Sequence, residues 1–201
     1  MSTTAAGDVS GYWNTKTFVV ITGASRGIGK AAAEEMAPLL GTNSLILLVS
    51  RDEPKLISVK EAIMERCSSS KLNIKTAVVD LSTSSQATLE SMLVNTLSGC
   101  DVQSFNRAVC IHNAGSLGDA SVKCVDLTET NECTDYFHLN VVSVMLLNGL
   151  FLRYLANCQQ RTVVNISSLC AIEPFTSLSL YCTGKAARDM FFKVLQRVES
   201  K

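Results

Sequence analysis

What this 201-residue chain lacks narrows its chemistry first. It has no net charge, since 18 Lys and Arg balance 18 Asp and Glu. No electrostatic footprint for nucleic acid or an anionic membrane is therefore visible, and a small, nearly neutral partner fits better. It has only two histidines, His112 and His138, far apart in sequence. Its eight cysteines form no C-x-x-C pair and no tight Cys/His cluster. Those two shortages argue against a metal site and against a Ser-His triad. Free thiols, with an N-terminal stretch (MSTTAAGDVSGYWNTK) that has no apolar segment behind a basic start, point to a reducing compartment, and the cytosol is expected. No run is long enough to span a bilayer: the longest apolar stretch, VVSVMLLNGLFL at 141–152, is broken by Ser143 and Asn148 and falls short of ~20 residues. A buried helix is expected there. No repeat, low-complexity run or linker divides the chain, so we expect a flexible leader over 1–16 and a single domain over 17–201.

What is present is an alternation. TFVVITG is a β-branched run ending in Gly, read as a buried strand, and IGKAAAEEMAPLL follows with helical composition that Pro38 should distort in its last turn. SLILLVS, NIKTAVVD, RAVCIHNAG and RTVVNIS read as further strands. EPKLISVKEAIMERC, SSQATLESMLVNTL, TDYFHLNVVSVMLLNGLFLRYL and GKAARDMFFKVLQRV read as the helices between and after them, with a loop around 116–127. Strands separated by helical crossovers give an α/β fold with a doubly wound parallel sheet, whose ligands gather at the carboxyl ends of the strands.

Three constellations lie at those ends. The first βα turn, TGASRGIG, spaces Gly23, Gly27 and Gly29 as G-x-x-x-G-x-G. Glycines let a backbone turn tightly and approach a pyrophosphate, while the helix start supplies N–H groups. At the end of the second strand stands Ser50 followed by Arg51, where an acidic residue would bind a ribose 2'-hydroxyl. A guanidinium there, with Arg26 beside it, instead suits a 2'-phosphate, so NADP(H) is expected over NAD(H). Asp80 and Leu81 end the third strand and would face the adenine side. In HNAG, Asn113 either fixes a strand end or lines the cofactor. The third constellation is in NISSLCAIEPFTSLSLYCTGK. Ser168 lies thirteen residues before Tyr181, and Lys185 falls one helical turn after it. A phenol becomes a usable proton donor near neutrality only when a neighbouring cation favours the phenolate, and Lys185 could supply that field.

The glycine turn, NAG, Asn140, Ser168, Tyr181 and Lys185, in this order on such an alternation, resemble the short-chain dehydrogenase/reductase family over about residues 17–200. The resemblance implies a Rossmann-like fold and carbonyl reduction by NADP(H), and the strings VVNISSLCA, LYCTGKAARDM and NAGSLGD point to a subgroup that reduces the side-chain ketone of a pterin. In that reading Tyr181 protonates the developing alkoxide and Ser168 holds the carbonyl oxygen. Lys185 lowers the Tyr181 pKa and binds the nicotinamide ribose, and Asn140 holds the water through which the proton is replaced. The same resemblance places Gly23, Ser25, Arg26, Gly27, Ile28, Gly29, Ser50, Arg51, Asp80, Leu81, Asn113, Ala114, Gly115, Tyr181 and Lys185 around the cofactor, and Cys170 and Leu117, with Ser168 and Tyr181, around the substrate. It also implies a homodimer through the helices at 130–157 and 182–198.

Family members continue past this helix with a further strand, a Pro-Gly turn, a substrate-covering segment and a last strand, and the pterin-reducing subgroup carries an acidic anchor near its C-terminus. None has a counterpart before Lys201, and Leu178 stands where a larger ring is expected. The strand RTVVNIS is accordingly expected to be an apolar edge. A cofactor-binding or dimerising module without turnover is the alternative to a reductase.

Overall fold

The structure is a computed structural model that describes residues 13–68 and 71–199. Its centre is a sheet of five parallel strands: β1 (Thr17–Thr22), β2 (Leu45–Ser50), β3 (Asn73–Val78), β4 (Arg107–His112) and β5 (Gln160–Asn165). Their spatial order is β3-β2-β1-β4-β5. β1, β2 and β4 are apolar on both faces because helices cover both, as a parallel sheet requires. The chain turns back between β1 and β4, which leaves a crevice at the carboxyl ends of the strands.

The helices between the strands start and stop where their sequence dictates. α1 (Gly27–Met36) gives way at Pro38 to a single 3-10 turn. α2 (Glu53–Arg66) is capped by the Asp52 carboxylate, which accepts from the Lys55 N–H, and α3 (Gln86–Leu97) by the Ser85 hydroxyl, which accepts from Thr88. On one face of the sheet Ala33, Leu56, Val59 and Ile63 of α1 and α2 pack on Val19, Ile21, Ile46 and Leu48. On the other, Leu89 and Leu93 of α3 meet Phe18, Val20, Leu47 and Cys110 together with the long helix α4 (Thr130–Tyr154). By length and composition α4 could cross a membrane. Its Val141, Val144, Leu147, Leu150 and Phe151 are buried in the domain, as expected of a core helix.

α4 departs from the expected regular helix at His138–Val142, where it widens into a π turn. The last helix, α5 (Ser179–Glu199), packs against that turn and against a short 3-10 turn at Leu169–Ala171. β5 pairs with β4 alone among the described residues, and its residues from Thr162 to Asn165 are half-buried, so it is the edge strand that was expected. Residues 1–12 of the expected leader lie outside the described residues. Trp13 packs against the Arg107 guanidinium, 5.0 Å from its ring centroid, and the Gly41 N–H donates to the Thr15 carbonyl.

Candidate active site

The glycine turn after β1 is built for close approach. Gly23 and Gly27 have φ of +66° and +56°, in the left-handed region that favours glycine. A Cβ on Gly29 would sit 2.4 Å from the Gly23 carbonyl oxygen, so no side chain fits there. Arg26 stands at the N-cap of α1 in extended backbone and its side chain makes no cap bond. The first N–H groups of the helix are thus left facing outward. The Ser50 hydroxyl donates to that of Ser25 at 2.9 Å, joining the glycine turn to the end of β2. Ile28 is exposed beside it.

Arg51 extends from the end of β2 with its side chain 75% exposed, 3.8 Å from the Asp80 carboxylate. Asp80 itself accepts from the Ser82 N–H and hydroxyl, which with the Arg51 charge hold its pKa below the usual carboxylate value. Leu81 turns its side chain into the core, so only its main chain can face the crevice. Asn113 settles as a strand-end fastener: its amide donates to the carbonyls of Thr22 and Gly23 at 3.0 and 3.2 Å, while the Asn113 and Ala114 N–H groups donate to the Thr22 hydroxyl. The NAG segment is in this way tied to the glycine turn. Residues of Thr22's type attract no notice in a sequence, yet this one hydroxyl joins the two loops.

Asn140 lies in the π turn, buried, with both ends of its amide engaged. Its oxygen accepts from the Ser116 N–H at 2.9 Å and its nitrogen donates to the Tyr136 carbonyl at 3.0 Å. One amide hydrogen and one lone pair are left for any further partner. Gly115 passes so close that a Cβ would sit 2.9 Å from the Asn140 oxygen.

Ser168 caps the Leu169–Ala171 turn, its hydroxyl oxygen accepting from the Cys170 N–H at 3.2 Å, and it keeps its own hydrogen to donate. Lys185 is 5% exposed and its ammonium donates to the Ile166 carbonyl at 2.5 Å, two residues before Ser168. The same nitrogen stands 5.5 Å from the centroid of the Tyr181 ring. Burial, and then the Arg188 charge, bring the Lys185 pKa down to about 8. Helix α5 and the 169–171 turn thus bring Ser168, Tyr181 and Lys185 to one place, with Cys170 buried in it. Leu117 is exposed on the loop after NAG.

Two residues that sequence reasoning passed over stand beneath the cluster. Tyr136, 6% exposed, has a hydroxyl with no hydrogen-bond partner among the described residues, 3.1 Å from where a Cβ on Gly184 would be. Arg188 is 1% exposed. Its place one turn beyond Lys185 was the available sign. Among the described residues no group of His, Cys, Asp and Glu gathers to hold a metal. An open polar groove of about 570 Å³, lined in part by Lys16, Asn106, Arg107 and Gln160, lies at the opposite ends of the strands, away from all of these residues.

A doubly wound sheet with a glycine turn, a strand-end Ser and a Tyr-Lys pair on the following helix defines an oxidoreductase of the short-chain dehydrogenase type, and residues 17–201 match that family. The chain belongs to it. Among its relatives, the sepiapterin reductase of Bos taurus is 38% identical over 189 residues, covering 92% of this chain and 68% of that protein. The sepiapterin reductase of Xenopus tropicalis is 40% identical over 182 residues, covering 90% and 68%. A short chain dehydrogenase from Shigella flexneri, solved in complex with NADP, superposes with a TM-score of 0.76 at 25% identity, over 90% of this chain and 71% of that one. This chain spans about two thirds of the length of the two sepiapterin reductases.

Proposed function

We propose that the protein is an NADPH-dependent carbonyl reductase acting on the side-chain ketone of a pterin, as a sepiapterin reductase does in tetrahydrobiopterin synthesis. The observation that carries this reading is the buried Lys185, fastened to the Ile166 carbonyl just before Ser168 and set under the Tyr181 ring. Six relatives at 36% to 40% identity are sepiapterin reductases, and their names support the pterin.

NADP(H) fits the residues present. The glycine turn has no room for side chains at Gly29, the start of α1 offers uncapped N–H groups, and Arg26 and Arg51 are placed for a 2'-phosphate. Ser25, Ser50, Asp80, the Leu81 main chain and the NAG segment would complete the cradle, and Lys185 would reach the ribose. NADPH, when bound, supplies the hydride to the ketone carbon. Ser168 donates its hydroxyl hydrogen to the carbonyl oxygen and holds it in place. Tyr181 gives its phenolic proton to that oxygen as negative charge develops, and the Lys185 ammonium favours the phenolate left behind. Asn140 holds the water that returns the proton, using the hydrogen and lone pair its main-chain partners leave. Leu117 and Cys170 are the proposed apolar walls of the substrate site.

We place the enzyme in the cytosol as a homodimer through α4 and α5, whose Val142, Met190, Val194 and Val198 are exposed. Sedimentation at micromolar concentration should give a dimer, and a monomer would count against that contact.

The function is tested by following NADPH consumption with sepiapterin, for these 201 residues and for a version extended to the relatives' length. Turnover should be lost in Tyr181→Phe by at least ~100-fold while NADPH still binds. No sepiapterin-dependent consumption by either length would overturn the reading, and turnover by the longer form alone would leave these residues as a cofactor-binding module.

A further inference from the structure

The guanidinium of Arg188 is one of the largest fully buried side chains in the protein, yet none of its three hydrogen-bond acceptors is a carboxylate. It donates through Nη2 to the His112 carbonyl at 2.6 Å, through Nη1 to the Ala114 carbonyl at 3.1 Å, and through Nε to the Asn165 side-chain oxygen at 2.9 Å. One side chain therefore grips the end of β4, the NAG segment and the end of β5 from a position on α5. The nearest carboxylate, Asp189, is turned to other partners: it accepts from the Asn165 amide and the Ser167 hydroxyl, both at 2.8 Å. Removing a buried cation from water is costly, and three neutral oxygens offset that cost only in part.

We propose that Arg188 is a positioning residue for the Tyr181–Lys185 pair, setting it from beneath through the ends of β4 and β5 and through its own charge. The path is short. Arg188 shares the His112 carbonyl with the Ile166 N–H, and the Ile166 carbonyl receives Lys185. The Ala114 carbonyl that Arg188 holds belongs to the segment fastened to the glycine turn through Thr22, and Gly115 lies between Arg188 and Asn140. Both halves of the site are thus referred to a single guanidinium.

Its charge reaches the same pair. Around Arg188 and Lys185 stand Tyr181 and Asp189 on α5, Tyr136 on α4, Cys170 on the 169–171 turn and a buried His112 on β4. Of these, Asp189 and then Cys170 oppose what burial and Arg188 do to Lys185. Removing the Arg188 charge takes away a like charge, so the ammonium form of Lys185 becomes easier to keep.

The inference rests on the reductase reading, and its test does not depend on turnover. The full chain is prepared with lysine carrying carbon-13 at Cε, and the Lys185 resonance, assigned by its loss in Lys185→Arg, is titrated by NMR. In the unaltered chain the midpoint is expected near 8. In Arg188→Met, and in Arg188→Gln, which can still donate to one of the carbonyls, it should rise by about one unit. The pH profile of kcat with sepiapterin should move with it. A Lys185 midpoint that stays put in either variant that folds overturns the proposal. Loss of the folded circular dichroism in both variants overturns it too, since Arg188 would then be holding the domain and not tuning the pair. If the unaltered chain fails to reduce sepiapterin, the reductase reading falls while the titration still decides the place of Arg188.

Discussion

In the proposed NADPH site, the preference between two cofactors is carried at Arg51 by an exposed side chain. Its guanidinium is held only loosely, 3.8 Å from Asp80, so it can turn toward a 2'-phosphate at little cost. Replacing it with Glu puts a carboxylate beside Asp80 and in the path of that phosphate. Arg51→Glu should weaken NADPH binding by ~10-fold or more and leave NADH nearly unchanged, as read by quenching of protein fluorescence. Equal losses for both cofactors would remove Arg51 from the phosphate site. A residue of this kind can be proposed from the sequence because position and charge alone single it out. Arg188 could not be. In GKAARDM it looks like an ordinary helical charge, and its meaning depends on three oxygens that only the ends of β4 and β5 bring within reach.

Strands and helices were legible because each is written in one period: short β-branched runs for strands buried on both faces, and amphipathic stretches with Ser, Asp and Pro at their ends for helices. The π turn at His138–Val142 was not, since TDYFHLNVVSVMLLNGLFLRYL reads as one regular helix; in the structure α5 packs against the turn. It carries Asn140 to the Ser116 N–H. The turn between β1 and α1 shows how tightly an element can constrain one position. In Gly29→Ala the new methyl meets the Gly23 carbonyl oxygen at 2.4 Å and the Asn113 amide at 2.5 Å, so the main chain must shift. Expected are a melting temperature lower by several degrees, corresponding to ~1–3 kcal/mol, and NADPH affinity reduced by ~10-fold or more. Thermal melts and a binding titration on the same sample check both, and unchanged values would mean that the turn gives way without cost.

For the molecule as a whole, the response to acid is set in part by His112. It is fully buried, its ring tilted against that of Phe192 with centroids 5.5 Å apart, and burial pushes its pKa down to about 3, with the Arg188 charge adding to the effect. The unfolded chain takes up a proton on this ring below its ordinary value of 6.5, and the folded chain does not until near 3. Stability from this group is therefore whole above pH 6.5 and declines as the pH falls, by about 2 kcal/mol between pH 7 and pH 5. Urea unfolding at those two pH values should show that loss, and His112→Asn should lessen it. An equal loss in the variant would place the sensitivity elsewhere.

β1 lies at the middle of the sheet, with β2 on one side and β4 on the other, but its two neighbours arrive at very different times. Thr22 and Ile111, which meet across the β1–β4 pair, are 89 residues apart. At a synthesis rate of about 5–20 residues per second, the β4 side of β1 waits roughly 5–20 s on the ribosome for its partner. During that interval the half-built sheet of β1, β2 and β3 presents a central strand as though it were an edge. The species most exposed to misassembly is therefore a nascent one, and the arrival of β4 pairs the open side of β1 and sets the NAG segment against the glycine turn.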